Sequence, residues 1–149
     1  MQKKPKKITL TKAKKAAWSQ FSRFIRLRDS LKTVGNTIQC VCISCGAIKP
    51  TFGKGCIQAG HFIPGRHNGV LFHEELVHGQ DFHCNIGLKG NWVPYERAMV
   101  TLYGRDRVEE FKKMSKGKAE LVKYTVSDYQ EIEKKYKEKA DALDTQPVR

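Results

Sequence analysis

The hydrophobic positions form helical stripes toward the two ends of the chain and short, broken runs in the middle. Between Thr9 and Leu31, Trp18, Phe21, Phe24 and Ile25 recur at intervals of three and four, with Lys12, Lys15, Arg23, Arg26 and Arg28 on other faces. That period is amphipathic helix. Thr9 or Thr11 can cap it, so a helix is predicted over about residues 11–31. Toward the other end, Pro94 suits a first helical turn, and Tyr95, Met99 and Leu102 make an apolar face that stops at Gly104. Asp106 to Met114 predicts a short helix. Thr125-Val-Ser-Asp128 has the form of a capping box and opens a helix to about Leu143, with Tyr129, Ile132 and Tyr136 on one side. Its simplest role is packing or dimerisation.

The middle of the chain reads differently. Val34-Gly35-Asn36 is a turn, and Thr37 to Cys42 predicts a short strand. Cys56 to Phe62 predicts a second strand. After a loop rich in turn formers (residues 64–69), Val70 to Asp81 returns as a strand or extended segment, and a helix begins near Cys84. Thr51-Phe-Gly-Lys-Gly is glycine-rich, but its spacing is not that of a nucleotide-binding loop. The expected fold class is α+β. A core over about residues 38–93 lies between an N-terminal helix and a helical C-terminal part over about 94–143. For 149 residues this is one domain over 9–149, preceded by a lysine-rich tail (1–8) expected to be disordered until it meets a polyanion.

Charge sharpens the picture. The net charge is +13, and residues 1–73 carry 14 Lys/Arg against one acid, Asp29; residues 74–149 are balanced. A solubilising surface would mix its signs, so the asymmetry points to a polyanion, of which nucleic acid is the commonest. No stretch reaches the roughly 20 apolar residues of a membrane span, and the N-terminus lacks the apolar core of a signal peptide. The expected place is the cytoplasm, with DNA and not a membrane as partner.

Five cysteines in a reducing compartment disfavour a disulfide framework. Cys40 and Cys56 read as small buried hydrophobes. Cys42-Ile-Ser-Cys45-Gly is different, because a Cys-x2-Cys ending in glycine turns two thiolates toward one ion. Asp81-Phe-His-Cys84 repeats the spacing with an aspartate in first place. A structural zinc held by Cys42, Cys45, Asp81 and Cys84 is therefore expected, with His83 and Cys40 as alternatives for the fourth ligand.

Together, Cys42-Ile-Ser-Cys45-Gly, Ala59-Gly60-His61-Phe62, His78-x-Gln80-x3-Cys84-Asn85 and Gly90-Asn91-x-Val93-Pro94-Tyr95 resemble the lambdoid phage NinG (Rap) recombination endonucleases. Phe24-Ile25-Arg26-x-Arg28-Asp29 and the Thr125-capped helix fit too, so the resemblance covers about residues 16–143. It implies an HNH, or ββα-metal, core and a divalent-metal-dependent nuclease acting on branched recombination DNA, such as Holliday junctions and D-loops. In a phage this would work in the host cell cytoplasm. Matched to that motif, His61 is the general base, Asn85 the metal-binding residue that opens the helix, and His78 a third candidate of the catalytic set. Three positions depart from it besides Asp81. Gly60 and Gln58 stand where related enzymes place metal-binding acids, and Leu76 stands where the central asparagine is expected.

Phosphodiester hydrolysis needs an activated water and a cation at the scissile phosphate. A neutral histidine suits the first task near pH 7, and Mg2+ or Mn2+ suits the second, with Asn85 and His61 as candidate ligands. Glu74, Glu75 and Asp81 are the nearest carboxylates in sequence. Lys12, Lys15, Arg23, Arg26, Lys54, Arg66 and Lys89 are candidate DNA contacts; His67, His73 and His83 read as structural. Symmetric cutting would suit a homodimer. Two other readings stay open: a zinc-stapled DNA-binding protein without catalysis, and a general HNH nicking nuclease.

Overall fold

In chain order the elements are helix α1 (Leu10–Thr33), strands β1 (Gln39–Val41), β2 (Ile48–Pro50) and β3 (Gln58–His61), and a helical turn α2 (Asn68–Leu71). A 3-10 turn (Glu74–Leu76), strand β4 (Val77–Gln80), a π-helical turn (His83–Gly87) and helices α3 (Trp92–Tyr103), α4 (Arg105–Lys113) and α5 (Val126–Asp144) follow. This computed structural model describes residues 2–64, 67–114 and 122–144. No described helix is long and apolar enough to cross a membrane.

The end helices form where the apolar period places them. Thr9 caps α1 by accepting the Lys12 amide, and Gly35, at φ 85°, ends it. One stripe of α1 (Ala13, Ala17, Phe21, Phe24) is buried against α5. The two helices run in the same direction, since Tyr129 packs with Ala13 and Ala17 while Tyr136 and Ala140 pack with Phe21 and Phe24. Each fully buried aromatic such as Phe21 contributes roughly 1.5–3 kcal/mol. Thr125 and Asp128 close the capping box reciprocally at 3.1 and 2.8 Å. The apolar face of α5 is thus used within the chain, so a second copy would have to meet another surface.

Two antiparallel hairpins lie between these helices and α3. β1 pairs with β2 through Cys40↔Lys49, and β3 pairs with β4 through Gln58↔Gln80, Ala59↔Gly79, Gly60↔His78 and His61↔Val77. Ala59 and Val77 face α1, while Gly60 and His78 face α3, where Tyr95 donates its hydroxyl to the Gly60 carbonyl at 2.7 Å. Gly60 is required at this crossing, because a Cβ there would stand 2.2 Å from the Gln80 Oε1.

The middle departs from the sequence reading in three places. β2 has no counterpart there. It is three residues long, ends in proline and is mostly exposed, so no periodic signal marks it. The strand expected over Val70 to Asp81 is only Val77–Gln80, because Asn68–Leu71 and Glu74–Leu76 take helical turns first. The helix expected near Cys84 is a single π-helical turn of five residues.

One buried polar clamp ties α1 to the second hairpin. Asp29, 6% exposed, accepts the Gly79 amide at 2.7 Å and the Arg28 guanidinium at 2.7 Å. Arg28 also donates to the Glu74 and Val77 carbonyls, each at 2.7 Å. Removing one partner of such a pair strands the other charge. Asp29→Ala is therefore expected to lower the unfolding free energy by about 3–5 kcal/mol in urea titrations; a loss below about 1 kcal/mol would show that the clamp does not hold the hairpin.

Candidate metal centre and active site

Two turns build the metal centre. Between β1 and β2, the Cys42 amide donates to the Ala47 carbonyl at 2.8 Å and the Gly46 amide to the Cys42 carbonyl at 2.9 Å, a tight knuckle that presents Cys42 and Cys45. After β4, the chain turns through Asp81 and Cys84. The Ile43 amide donates to the Gly79 carbonyl at 2.9 Å and locks the two turns together. The donor atoms of Cys42, Cys45, Asp81 and Cys84 all lie within 4.8 Å of one another, so the cluster could hold a metal ion. Tetrahedral zinc with sulfur at about 2.3 Å has donor–donor edges of about 3.8 Å, so the widest separation needs to close by only about 1 Å. Among the described residues Asp81, and neither His83 nor Cys40, completes this set. Cys40 packs beside Cys42 and Cys84 in one buried cluster, but its sulfur lies near the Thr33 hydroxyl and is not one of the four donors.

The polar surroundings suit thiolate ligands. The Asp81 amide points at the Cys42 sulfur (3.3 Å) and the Asn91 amide group at the Cys84 sulfur (3.3 Å). Such donors spread ligand charge and orient the ligands. Asn91 reaches Cys84 because Lys89, Gly90 and Asn91 all adopt left-handed backbone, with φ of 51°, 102° and 40°. The Cys45 thiol donates to Asp81 Oδ2 at 3.0 Å. Desolvation of its sulfur, then that hydrogen bond, pushes the thiol up to about 12. Desolvation works to raise the Asp81 carboxyl, but the bonds from Cys45 and the Cys84 amide outweigh it and hold it below its ordinary value.

Beside the knuckle, the free edge of β3 opens into a cleft of about 320 Å3 between α1 and the π-helical turn. Trp18, Ser22 and Arg26 line one wall, Gln58 and Ala59 the floor, and Asn85 and Ile86 the other wall. Asn85 Nδ2 donates to Gln58 Oε1 at 2.9 Å. His61, at the end of β3, stacks on Trp18 with ring centroids 5.1 Å apart and an interplanar angle of 22°. Its Nε2 lies 3.1 Å from the Leu71 carbonyl. A carbonyl only accepts, so Nε2 carries the hydrogen and the neutral ring keeps its basic lone pair on Nδ1.

His78 sits elsewhere. It pairs with Gly60, one residue out of step with His61, and so points to the opposite face of the hairpin. There it is 5% exposed and lies between the hydroxyls of Tyr95 (3.3 Å) and Tyr103 (2.9 Å). Burial pushes its pKa down to about 4. Of the candidate DNA contacts, Lys12, Lys15, Lys54 and Lys89 are exposed. Arg26 lines the cleft, with its guanidinium 4.6 Å above the Phe52 ring. Arg23 instead bridges to Asp141 (2.7 Å) and Asp144 (3.1 Å) of α5. Arg66 lies outside the described residues. The sequence reading had Trp18 in the apolar stripe of the first helix and Gln80 and Asn91 in the family motif, without a place for any of them at the site; for Asn91 the adjoining Gly90 was the one local signal of left-handed backbone.

Fold and site define a mixed α+β protein with a three-cysteine, one-aspartate cluster that could hold a metal ion. A family model described as "NinG: Bacteriophage Lambda NinG protein" matches residues 1–146, and the chain belongs to this NinG family. It is 28% identical over 141 residues to proteins named "Protein ninG" from Escherichia phage 933W and Enterobacteria phage VT2-Sa, a match that covers 94% of this chain. The chain spans 60% of the length of these curated relatives. No solved structure matches.

Two predictions follow the geometry. Purified protein should carry one tightly bound metal ion by elemental analysis. Stripping it with a chelator should lower the melting temperature by at least about 10 °C, since structural zinc supplies folding free energy. Asp81→Cys should keep the ion and Cys84→Ser should lose it; metal-free protein of unchanged melting temperature would refute the site. The second concerns His78. Its folded-state pKa, about 4, lies below its ordinary 6.5. Under pH 6.5 the unfolded chain takes a proton that the native ring refuses. The group therefore costs nothing above pH 6.5, and stability falls as pH drops toward 4, by up to about 3 kcal/mol. His78→Gln should flatten that part of the stability profile; an unchanged slope would remove His78 as its source.

Proposed function

We propose that this protein is a divalent-metal-dependent HNH endonuclease that hydrolyses phosphodiester bonds in branched DNA. The observation that carries the reading is that Asn85 and Arg26 line a cleft at the free edge of β3 together with Trp18, the ring on which His61, at the end of the same strand, is stacked. In this reading the knuckle ion is a structural zinc, which three thiolates favour over magnesium. The hairpin and the turn after it form the ββα unit. His61 Nδ1 takes the proton from the attacking water, while the Leu71 carbonyl and the Trp18 ring hold the imidazole in one tautomer and one orientation. Asn85 and Gln58 offer amide oxygens as ligands to a catalytic Mg2+ or Mn2+. When bound, that ion supplies charge stabilisation at the phosphate and the leaving 3′-oxygen. Arg26 pairs with phosphate, and the exposed Lys12, Lys15, Lys54 and Lys89 extend the contact along the strand. Symmetric cutting of a junction would use a homodimer in the host cell cytoplasm.

One observation favours a second reading, a zinc-stapled DNA-binding protein without catalysis. Among the described residues, those lining the cleft include no carboxylate, and position 60 has no room for one. The two readings separate in a cleavage assay on a four-way junction with Mg2+ or Mn2+. The nuclease reading expects cutting that His61→Ala reduces at least about 100-fold, the scale of general-base catalysis, with folding and DNA binding retained. Wild-type protein that binds the junction and never cuts it favours the second reading. Equal rates for mutant and wild type would take the base role from His61, and equal cutting of linear duplex would point to a general nicking nuclease.

A further inference from the structure

The knuckle turn carries a surface that neither metal binding nor folding uses. Phe82 stands between the ligands Asp81 and Cys84 and is 62% exposed; Ile86, one turn on, is 56% exposed. Phe82 has helical backbone and opens the π-helical turn that carries Ile86, so both exposed side chains project from this one short turn. Ile86 also lines the cleft directly beside Asn85. A large exposed aromatic and an exposed isoleucine on one short turn offer apolar surface to a partner.

Charge says what covers them. Residues 30–73 contain no acid, and neither do residues 82–95. The one carboxylate between these stretches on the knuckle, Asp81, is buried among the cysteines. Lys54 and Lys89 are exposed, and Arg26 lines the same cleft as Ile86. An apolar turn that borders the Arg26 cleft, in a part of the chain whose exposed charges are cationic, suits a polyanion with apolar faces inside it. DNA fits that description where a base step is open.

We propose that Phe82 and Ile86 form a wedge that enters between unstacked bases next to the phosphate held in the Asn85 cleft, and that this wedge selects branched DNA. The inference deepens the nuclease reading and rests on it only for the position of the phosphate. An apolar side chain inserted into a duplex must first unstack a step, a cost that is least where pairing is already broken. A junction presents such steps and a linear duplex does not. The two metal-ligand positions flanking Phe82 make the wedge rigid before binding, so little ordering is lost on contact.

The test is binding, so it stands apart from catalysis. Metal-loaded Phe82→Ala/Ile86→Ala protein and wild type would be titrated, with Ca2+ in place of Mg2+, onto a four-way junction and a linear duplex of the same sequence. The junction carries 2-aminopurine at its centre. The double variant is expected to lose at least tenfold in junction affinity, less than twofold on duplex, and the fluorescence rise that reports unstacking. Phe82→Trp with Ile86 retained should restore all three, and melting temperature and metal content should stay at wild-type values. Equal weakening on both DNAs, or an unchanged fluorescence rise, would overturn the wedge. So would dissociation of a wild-type dimer by the double variant, which would make the surface a contact between copies. A His61→Ala protein that binds junctions normally yet never cuts leaves the wedge intact, whereas failure of catalysis alone bears only on the nuclease reading.

Discussion

Four acidic donors within 4.8 Å cannot all be anions without a cation among them. That constraint governs the middle of the molecule. The raised Cys45 thiol donates to Asp81, so the cluster carries a hydrogen bond from one turn to the other. With an ion, the β1–β2 knuckle and the turn after β4 become one body. β4 is continuous with Asp81 and sets the register of β3, so the same clamp fixes where the strand edge lies relative to Asn85. The strands are three or four residues long and pair only two by two, which is marginal without such a staple. The aspartate is suited to its place. A cysteine has one donor atom, whereas Asp81 turns Oδ2 toward the cluster and uses Oδ1 to accept the Cys84 amide at 2.7 Å, closing the turn it ligates from.

The second support is the clamp from α1. Arg28 and Asp29 place a charge pair against β4, where the Gly79 amide and the Glu74 and Val77 carbonyls complete its hydrogen bonds. A buried pair of this kind contributes little net stability over an apolar replacement. Its value here is positional, since it reads backbone at three points and so tolerates one register. The hairpin is held in this way from the α1 side, by the Tyr95 hydroxyl on Gly60 from the α3 side, and by the knuckle at its end.

How much of this the sequence discloses depends on the element. Helices α1 and α5 were legible because their apolar period runs for three turns or more and because Thr9 and Thr125 mark their starts. The metal centre was legible because a Cys-x2-Cys spacing encodes a turn directly, and the aspartate preserved it. The short strands were not. Three residues cannot show alternation, and Gly60 and Gly79 contribute no side chain to a pattern. The faces of the histidines were hidden for a related reason. His61 and His78 both sit on the hairpin, but only the register shows that one points to α1 and the other to α3. Arg23 and Arg26 looked alike on one helix, yet Arg23 meets carboxylates from more than a hundred residues away.

The cleft itself turns on what Gly60 and Gln58 exclude. A carboxylate at position 60 would collide with Gln80, whose own amide is committed to Ser44 and to the Gly90 carbonyl, and so to the loop that delivers Asn91 to Cys84. Making room for an acid there would loosen the second coordination layer of the knuckle. The chain instead lines the cleft with neutral amides, Gln58 and Asn85, bonded to each other at 2.9 Å. Neutral oxygens hold a hard divalent ion weakly, and magnesium in particular keeps its waters unless anionic oxygens replace them. On the nuclease reading, Gln58 and Asn85 would hold a divalent ion through amide oxygens, and the DNA phosphate would supply the negative charge that these amides lack.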